Sequence, residues 1–167
     1  DFVDGGAGTD LVEDWIDNAS SGRQRAVNVT LDGQANDGRT GERDDVRNIE
    51  DINAFAGGTY VLGDVAEKIE LYAPVDHGPS TLEGRGGDDV LVGSNQADTL
   101  NGMAGADTLT GGGGGDTLTG GLGNDIYILE DFDVVVEGVG QGTDEVRSAV
   151  SSNMTGALAN IENAKLL

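Results

Sequence analysis

Five aspartates stand nine residues apart, at Asp89, Asp98, Asp107, Asp116 and Asp125, each five residues after a glycine: Gly84, Gly93, Gly102, Gly111 and Gly120. Carboxylates at a fixed spacing, with main-chain carbonyls exposed by glycine beside them, are the donor set of a hard, oxygen-preferring cation. Softer metals find no ligands: the chain has no cysteine and a single histidine, His77, so a Cys/His zinc site cannot be assembled. No nucleophile motif accompanies His77 in its loop PVDHGPS. Close carboxylates such as Asp44 and Asp45, or Asp131 and Asp133, would need a defined separation across a cleft for glycosidase chemistry. The loop from Asn36 to Asp45 reads instead as a further cation loop or a solvated turn. No catalytic constellation is recognisable, so no enzyme is expected within these residues.

The elements that must position the aspartates follow from the rest of the repeat. The units read GRGGDDVLV, GSNQADTLN, GMAGADTLT, GGGGGDTLT and GGLGNDIYI, with no insertion or deletion between Gly84 and Ile128. The eighth place is always bulky and apolar: Leu91, Leu100, Leu109, Leu118, Tyr127. A flexible glycine-rich linker is the rival reading, but aspartates falling in step by chance would be expected only roughly once in several thousand trials. The glycine-rich six residues can take positive φ and form a turn, while the last three are β-prone and form a strand. The eighth residue then points inward and Thr99, Thr108, Thr110, Thr117 and Thr119 face solvent. Two units make one coil, and coils stacked at ~4.8 Å bring the aspartates of every second unit almost over one another. Like charges at that distance repel unless a cation lies between them. Calcium, which accepts six to eight oxygens, suits the arrangement better than magnesium, which holds a tighter octahedron and its own waters.

The unit resembles GGxGxDxUx, the nonapeptide of the RTX (repeats-in-toxin) family of secreted bacterial proteins. The resemblance implies an all-β fold, a right-handed parallel β-roll or β-helix solenoid with irregular flanking coils. It also implies ligand sets drawn from places two, four and six of one turn and one, three and six of the turn two units later. Carried over, Arg85, Gly87 and Asp89 face Gly102, Ala104 and Asp107, and Met103, Gly105 and Asp107 face Gly120, Leu122 and Asp125. On the opposite edge Ser94, Gln96 and Asp98 face Gly111, Gly113 and Asp116; a fourth set takes Gly112, Gly114 and Asp116. The unit after Asp125 has Val134 at its sixth place, so this fourth set needs Asp131 or Asp133. GSNQAD lacks glycine at places two and four, which predicts a weaker site. Only the aspartates contribute side chains; the remaining donors are main-chain carbonyls. RTX proteins generally leave the cell by type I secretion with a C-terminal signal, but Ala157 to Leu167 resembles another coil, and no such signal is read there.

Three regions are expected: degenerate coils and loops over 1–83, the regular roll over 84–128, and terminal coils over 129–167. Gly5 to Glu13 is one more unit, and Gly142 to Arg147 echoes it. The segments Ala26 to Gly38 and Ile126 to Val150 look like degenerate coils. An apolar-Glu-x-apolar motif recurs at Ile49 to Ile52, Ala66 to Ile69 and Ile161 to Ala164. A short helix with Asp64 and Glu67 as capping box is one reading of it, and irregular coil strands the favoured one. Trp15, beside Ile16, reads as packing rather than a ligand platform.

Composition narrows the partners. With 31 acidic and 9 basic residues the formal charge is −22, which repels phosphate backbones and anionic headgroups; nucleic acid is not an expected partner. No run of ~18 apolar residues is present, so membrane insertion is not expected either. The sequence begins Asp1-Phe2-Val3, without Met or a signal-peptide pattern, and reads as a fragment or processed piece. The function expected is that of a calcium-binding structural module, secreted or on the cell surface and folding on extracellular calcium. Alternatives are a building block of an adhesin, surface layer or filament, or the non-catalytic tail of a secreted hydrolase. With no evident cap at either end, end-to-end self-association or continuation into a larger repeat protein is expected.

Overall fold

Short runs of Val, Leu, Ile and Thr alternate with glycine-rich turns. In the computed structural model these runs are strands of three to six residues, joined only in parallel. The structure describes residues 2–4, 11–13, 27–30, 45–47, 51–54, 57–72, 78–130, 132–148 and 160–167, and no helix occurs among them. The unit Gly5 to Asp10, Trp15, His77, the loop Asn36 to Asp44 and Asp131 lie outside the described residues.

Two long sheets share the strands. One joins β2 (Leu11–Glu13), β5 (Asp51–Ala54), β7 (Lys68–Leu71), β9 (Val90–Val92), β11 (Thr108–Thr110), β13 (Ile126–Leu129), β15 (Glu145–Ser148) and β16 (Asn163–Leu166), in that order. The other joins β3 (Val27–Thr30), β6 (Gly58–Val61), β8 (Thr81–Glu83), β10 (Thr99–Ala104), β12 (Thr117–Leu122) and β14 (Val134–Val136). A small pair, β1 (Phe2–Asp4) and β4 (Asp45–Arg47), stands apart from both. From β5 to β15 consecutive strands alternate between the long sheets, so each coil there contributes one strand to each: this is a β-solenoid of the β-roll kind. Both sheets run without a break across residues 84 and 128.

Register places every eighth-place residue in one stripe. Leu91 pairs with Leu109 and Leu109 with Tyr127, while Leu82 pairs with Leu100 and Leu100 with Leu118. All six are 0% exposed and belong to one core with Tyr60, Ile69 and Val146. Burying each leucine contributes about 1.5–3 kcal/mol, which the three-residue strand delivers at the cost of only one inward side chain per half coil. The residues on either side are half-buried or exposed, as alternation requires.

The apolar-Glu-x-apolar motifs end in strands rather than helices: Ile52 pairs with Ile69 between β5 and β7, and Ala164 pairs with Val146 between β16 and β15. Ile52, Ile69 and Ala164 stand in the column of Leu91, and Glu67 and Glu162, two places before Ile69 and Ala164, fall in register with the aspartates; Glu50 lies outside the described residues. The helical propensity of AEKI yields to the parallel ladder on both sides of β7, which satisfies the strand's backbone groups outright. One detail departs from the sequence reading. Val134 is the first residue of β14, paired with Thr117, so the turn before it is one residue short and Asp133, not Val134, takes the sixth place.

Candidate metal centre

Each sixth-place carboxylate ties one coil to the coil before it. Asp107 Oδ1 accepts the main-chain N–H of Asp89 at 2.8 Å, Asp125 Oδ1 that of Asp107 at 2.8 Å, and Asp144 Oδ1 that of Asp125 at 2.9 Å. The column continues beyond the regular units: Asp89 Oδ1 accepts from Glu67 N at 2.8 Å, and Glu162 Oε2 accepts from Asp144 N at 2.8 Å. On the opposite edge Asp98 accepts from Ser80 N at 2.6 Å, Asp116 from Asp98 N at 2.7 Å, and Asp133 from Asp116 N at 3.0 Å. The structure therefore brings together Asp89, Asp107 and Asp125 on one edge and Asp98 and Asp116 on the other.

Glycine makes this closeness sterically possible. A Cβ placed on Gly102 would collide with Asp107 Oδ2 and stand 2.8 Å from Gly120 O, so the first place can hold only a residue without a side chain. Places two and four of the turns carry positive φ at Arg85 and Gly87, Met103 and Gly105, Gly112 and Gly114, and Gly121 and Gly123. The turns of successive coils stack closely: a Cβ on Gly105 would run into Gly87 O of the coil below, and one on Gly123 into Gly105 O. Ser94 and Gln96 do not take positive φ. Instead Ser94 closes its own turn, donating to Asp98 Oδ2 from its N–H at 2.7 Å and its hydroxyl at 2.8 Å.

The inner oxygens reveal what the site lacks. Asp89, Asp107, Asp116 and Asp125 are at most 1% exposed, and the Oδ2 of each is buried with no hydrogen-bond partner. Burial is the chief cause that pushes Asp89 and Asp116 up to about 7, Asp125 up to about 6, and Asp107 above its ordinary value. Main-chain donors pull each of them the other way, and neighbouring carboxylates add to the rise. A protein that repeatedly buries carboxylate oxygens without donors leaves them for a cation, because an ionised orphan of this kind costs more than the ~1–3 kcal/mol of a neutral one. Carboxylates, stacked carbonyls and no nitrogen or sulfur donor fit calcium.

Residues 78–100 and 92–127 match the family model of the RTX calcium-binding nonapeptide repeat, in four copies. The chain carries RTX calcium-binding repeats. Among curated proteins no match to the chain was found. The RTX repeats bind calcium, and the buried acidic ladder is built accordingly. Sequence reasoning placed the five regular aspartates but left out Glu67, Asp144 and Glu162 as members of their column. The signal was present in the glutamate motifs, whose 17-residue spacing between Glu50 and Glu67 is close to one coil.

Proposed function

We propose that the chain is a calcium-dependent structural module of a secreted bacterial RTX-type protein, poorly ordered where calcium is scarce and folded outside the cell. The observation that supports this most directly is the row of buried, unpartnered Oδ2 atoms at Asp89, Asp107, Asp116 and Asp125. Binding to the folded form alone stabilises it by mass action, about 2.7 kcal/mol for each independent site at a hundredfold excess over Kd. Ligand sets follow the turns: Arg85, Gly87 and Asp89 with Gly102, Ala104 and Asp107, then Met103, Gly105 and Asp107 with Gly120, Leu122 and Asp125. On the other edge Gly112, Gly114 and Asp116 take Asp133 as their partner carboxylate. The set of Ser94, Gln96 and Asp98 with Gly111, Gly113 and Asp116 is the weakest, because Ser94 already occupies Asp98. The roll proper spans 84–128 and the coils before and after it act as its supports. No reaction is assigned to these residues.

Circular dichroism and calorimetry of the chain in chelator, then in millimolar calcium, test the reading. A gain of β-structure and of thermal midpoint with calcium is expected. An unchanged spectrum and midpoint after complete chelation overturns it.

A second reading, assembly into a surface layer or filament, draws on β16. Its four residues are all exposed, and among the described residues it pairs only with β15. A free strand edge of this kind invites another strand, while the charge of −22 limits lateral aggregation. End-to-end association is then calcium-dependent, and light scattering across a calcium titration measures it; a strictly monomeric folded form at high protein concentration overturns it.

A further inference from the structure

The turn that follows the last regular unit departs from the repeat in length and composition. Between the paired residues Thr119 and Ile126 lie residues 120–125, six in all, whereas between Val136 and Glu145 lie 137–144, eight. The register that pairs Thr119 with Val136 puts Glu137 opposite Gly120, at a first place where every regular unit has glycine. An ionisable side chain has entered the position that elsewhere admits none.

Its surroundings are acidic and buried. Carboxylate oxygens of Asp125, Glu137 and Asp144 lie within 4.8 Å of one another, and Asp125 and Asp144 are each 1% exposed. None of the three has a basic partner among the described residues; Arg147 pairs with Glu145 and Lys68 with Glu70. Asp125 Oδ2 has no hydrogen-bond partner at all. It points toward this cluster: a Cβ on Gly120 would touch both Asp125 Oδ2 and the Tyr127 hydroxyl, and that hydroxyl donates to Glu137 Oε2 in a short hydrogen bond. Tyr127 also accepts Gly120 N–H at 2.7 Å, and Glu137 Oε1 accepts Gly138 N–H at 2.9 Å, so the tyrosine and the turn hold Glu137 in place.

We infer that Asp125, Glu137 and Asp144 form a terminal calcium site that differs from the repeat sites in taking three side-chain carboxylates. It rests on the reading that the aspartate column binds calcium. Three anionic groups and a buried orphan oxygen demand a cation, and oxygen-only donors select a hard divalent one. The two additional residues of the turn provide the room that a side chain at the first place requires. Such a site fastens the coil 129–148 to the regular tract by a metal in addition to backbone pairing.

Isothermal titration of the full chain with calcium, on wild type, Glu137→Gln and Asp107→Ala, tests this. Glutamine keeps the size of the side chain and one oxygen acceptor, for Tyr127, while it removes the charge and replaces the oxygen that accepts from Gly138 by an amide NH2 that cannot ligate a cation. Glu137→Gln should bind one calcium fewer while keeping the repeat sites, and Asp107→Ala should lose repeat sites while keeping the terminal one. If Glu137→Gln binds as many ions as wild type with unchanged affinity, and Asp107→Ala binds fewer, the terminal site is overturned and the repeat sites stand. If neither variant differs from wild type, the wider reading fails as well. Terbium, titrated in place of calcium, gives an independent readout. Emission sensitised through tyrosine should fall in Tyr127→Phe and in Glu137→Gln but persist in Tyr60→Phe, and equal emission from all three variants overturns the proposal even if Glu137→Gln folds poorly.

Discussion

The two edges of the roll are built from the same nonapeptide, yet they leave different residues in need of a cation. On the edge of Asp89, Asp107 and Asp125, all three turns carry positive φ at places two and four, and all three aspartates keep an orphan Oδ2. On the edge of Asp98 and Asp116, only the turn with Gly112 and Gly114 has that form. The other is closed by Ser94, whose two donors occupy Asp98 Oδ2. On the proposed reading, dependence on calcium is decided turn by turn, by whether the chain supplies its own hydrogen-bond donors to the inner oxygen. Where it does, the aspartate is a structural acceptor; where it does not, on that reading, the metal completes the fold.

The largest expected effect comes from exchanging a residue of each kind. Asp107→Ala removes a carboxylate shared by two ligand sets and should lower stability in saturating calcium by several kcal/mol, with far less effect in chelator. Asp98→Ala should cost about 1–3 kcal/mol in both conditions, because it strands the donors of Ser80 and Ser94 whether or not metal is present. Thermal unfolding of both variants with and without calcium measures this. Equal calcium dependence of the two losses would remove the distinction between the edges.

A smaller effect is expected from pH. Asp89 and Asp116 sit near 7 and Asp125 near 6 in the folded chain, all above their ordinary value of 3.8. The metal-free fold thus binds protons that the unfolded chain releases. The stability gained from those protons is full below about pH 4 and is lost as pH rises through 6 to 7, each group contributing on the order of 1.4 kcal/mol for every pH unit between its unfolded and folded values. With calcium the sign reverses, because ions displace those protons. Midpoints in chelator should fall from pH 5 to pH 8 while those in calcium rise, and calorimetry at pH 6 in two buffers should show proton release on binding. Parallel curves in the two conditions would mean that the aspartates are not the ligands.

Much of this was legible in the sequence. A nine-residue phase with aspartate at the sixth place and a bulky residue at the eighth dictates the coil, the inward stripe from Leu91 to Tyr127 and the stacking of the carboxylates, since all three depend only on local turn and strand geometry. The site was less legible where the phase slips. Asp133 replaces the expected sixth-place residue because the turn before it is short, and Glu137 enters because the next turn is long; a fixed repeat cannot report either. The glutamates 67 and 162 were visible as a motif, but only the register of β7 and β16 places them in the aspartate column. Glu67 Oε1 also accepts Gly63 N–H at 3.2 Å, from within its own turn, which a periodic pattern does not show.

The smallest change that bears on the difference between the edges is Ser94→Gly. It removes the hydroxyl donor to Asp98 and gives the second place the residue that Gly112, at φ 88°, uses one coil later on the same edge. In chelator the variant should lose about 1–2 kcal/mol, the sum of one buried hydrogen bond and the added freedom of glycine in the unfolded chain. In calcium the loss should shrink, because Asp98 Oδ2 keeps only the main-chain donor of residue 94 and the turn can adopt the positive-φ form its neighbours have. The stabilisation that calcium confers should thus be greater in Ser94→Gly than in wild type, by roughly the strength of the hydrogen bond removed. A loss of the same size with and without calcium would show that the serine fills space in a turn that binds no metal in either form, and the second edge would then rely on Asp116 alone.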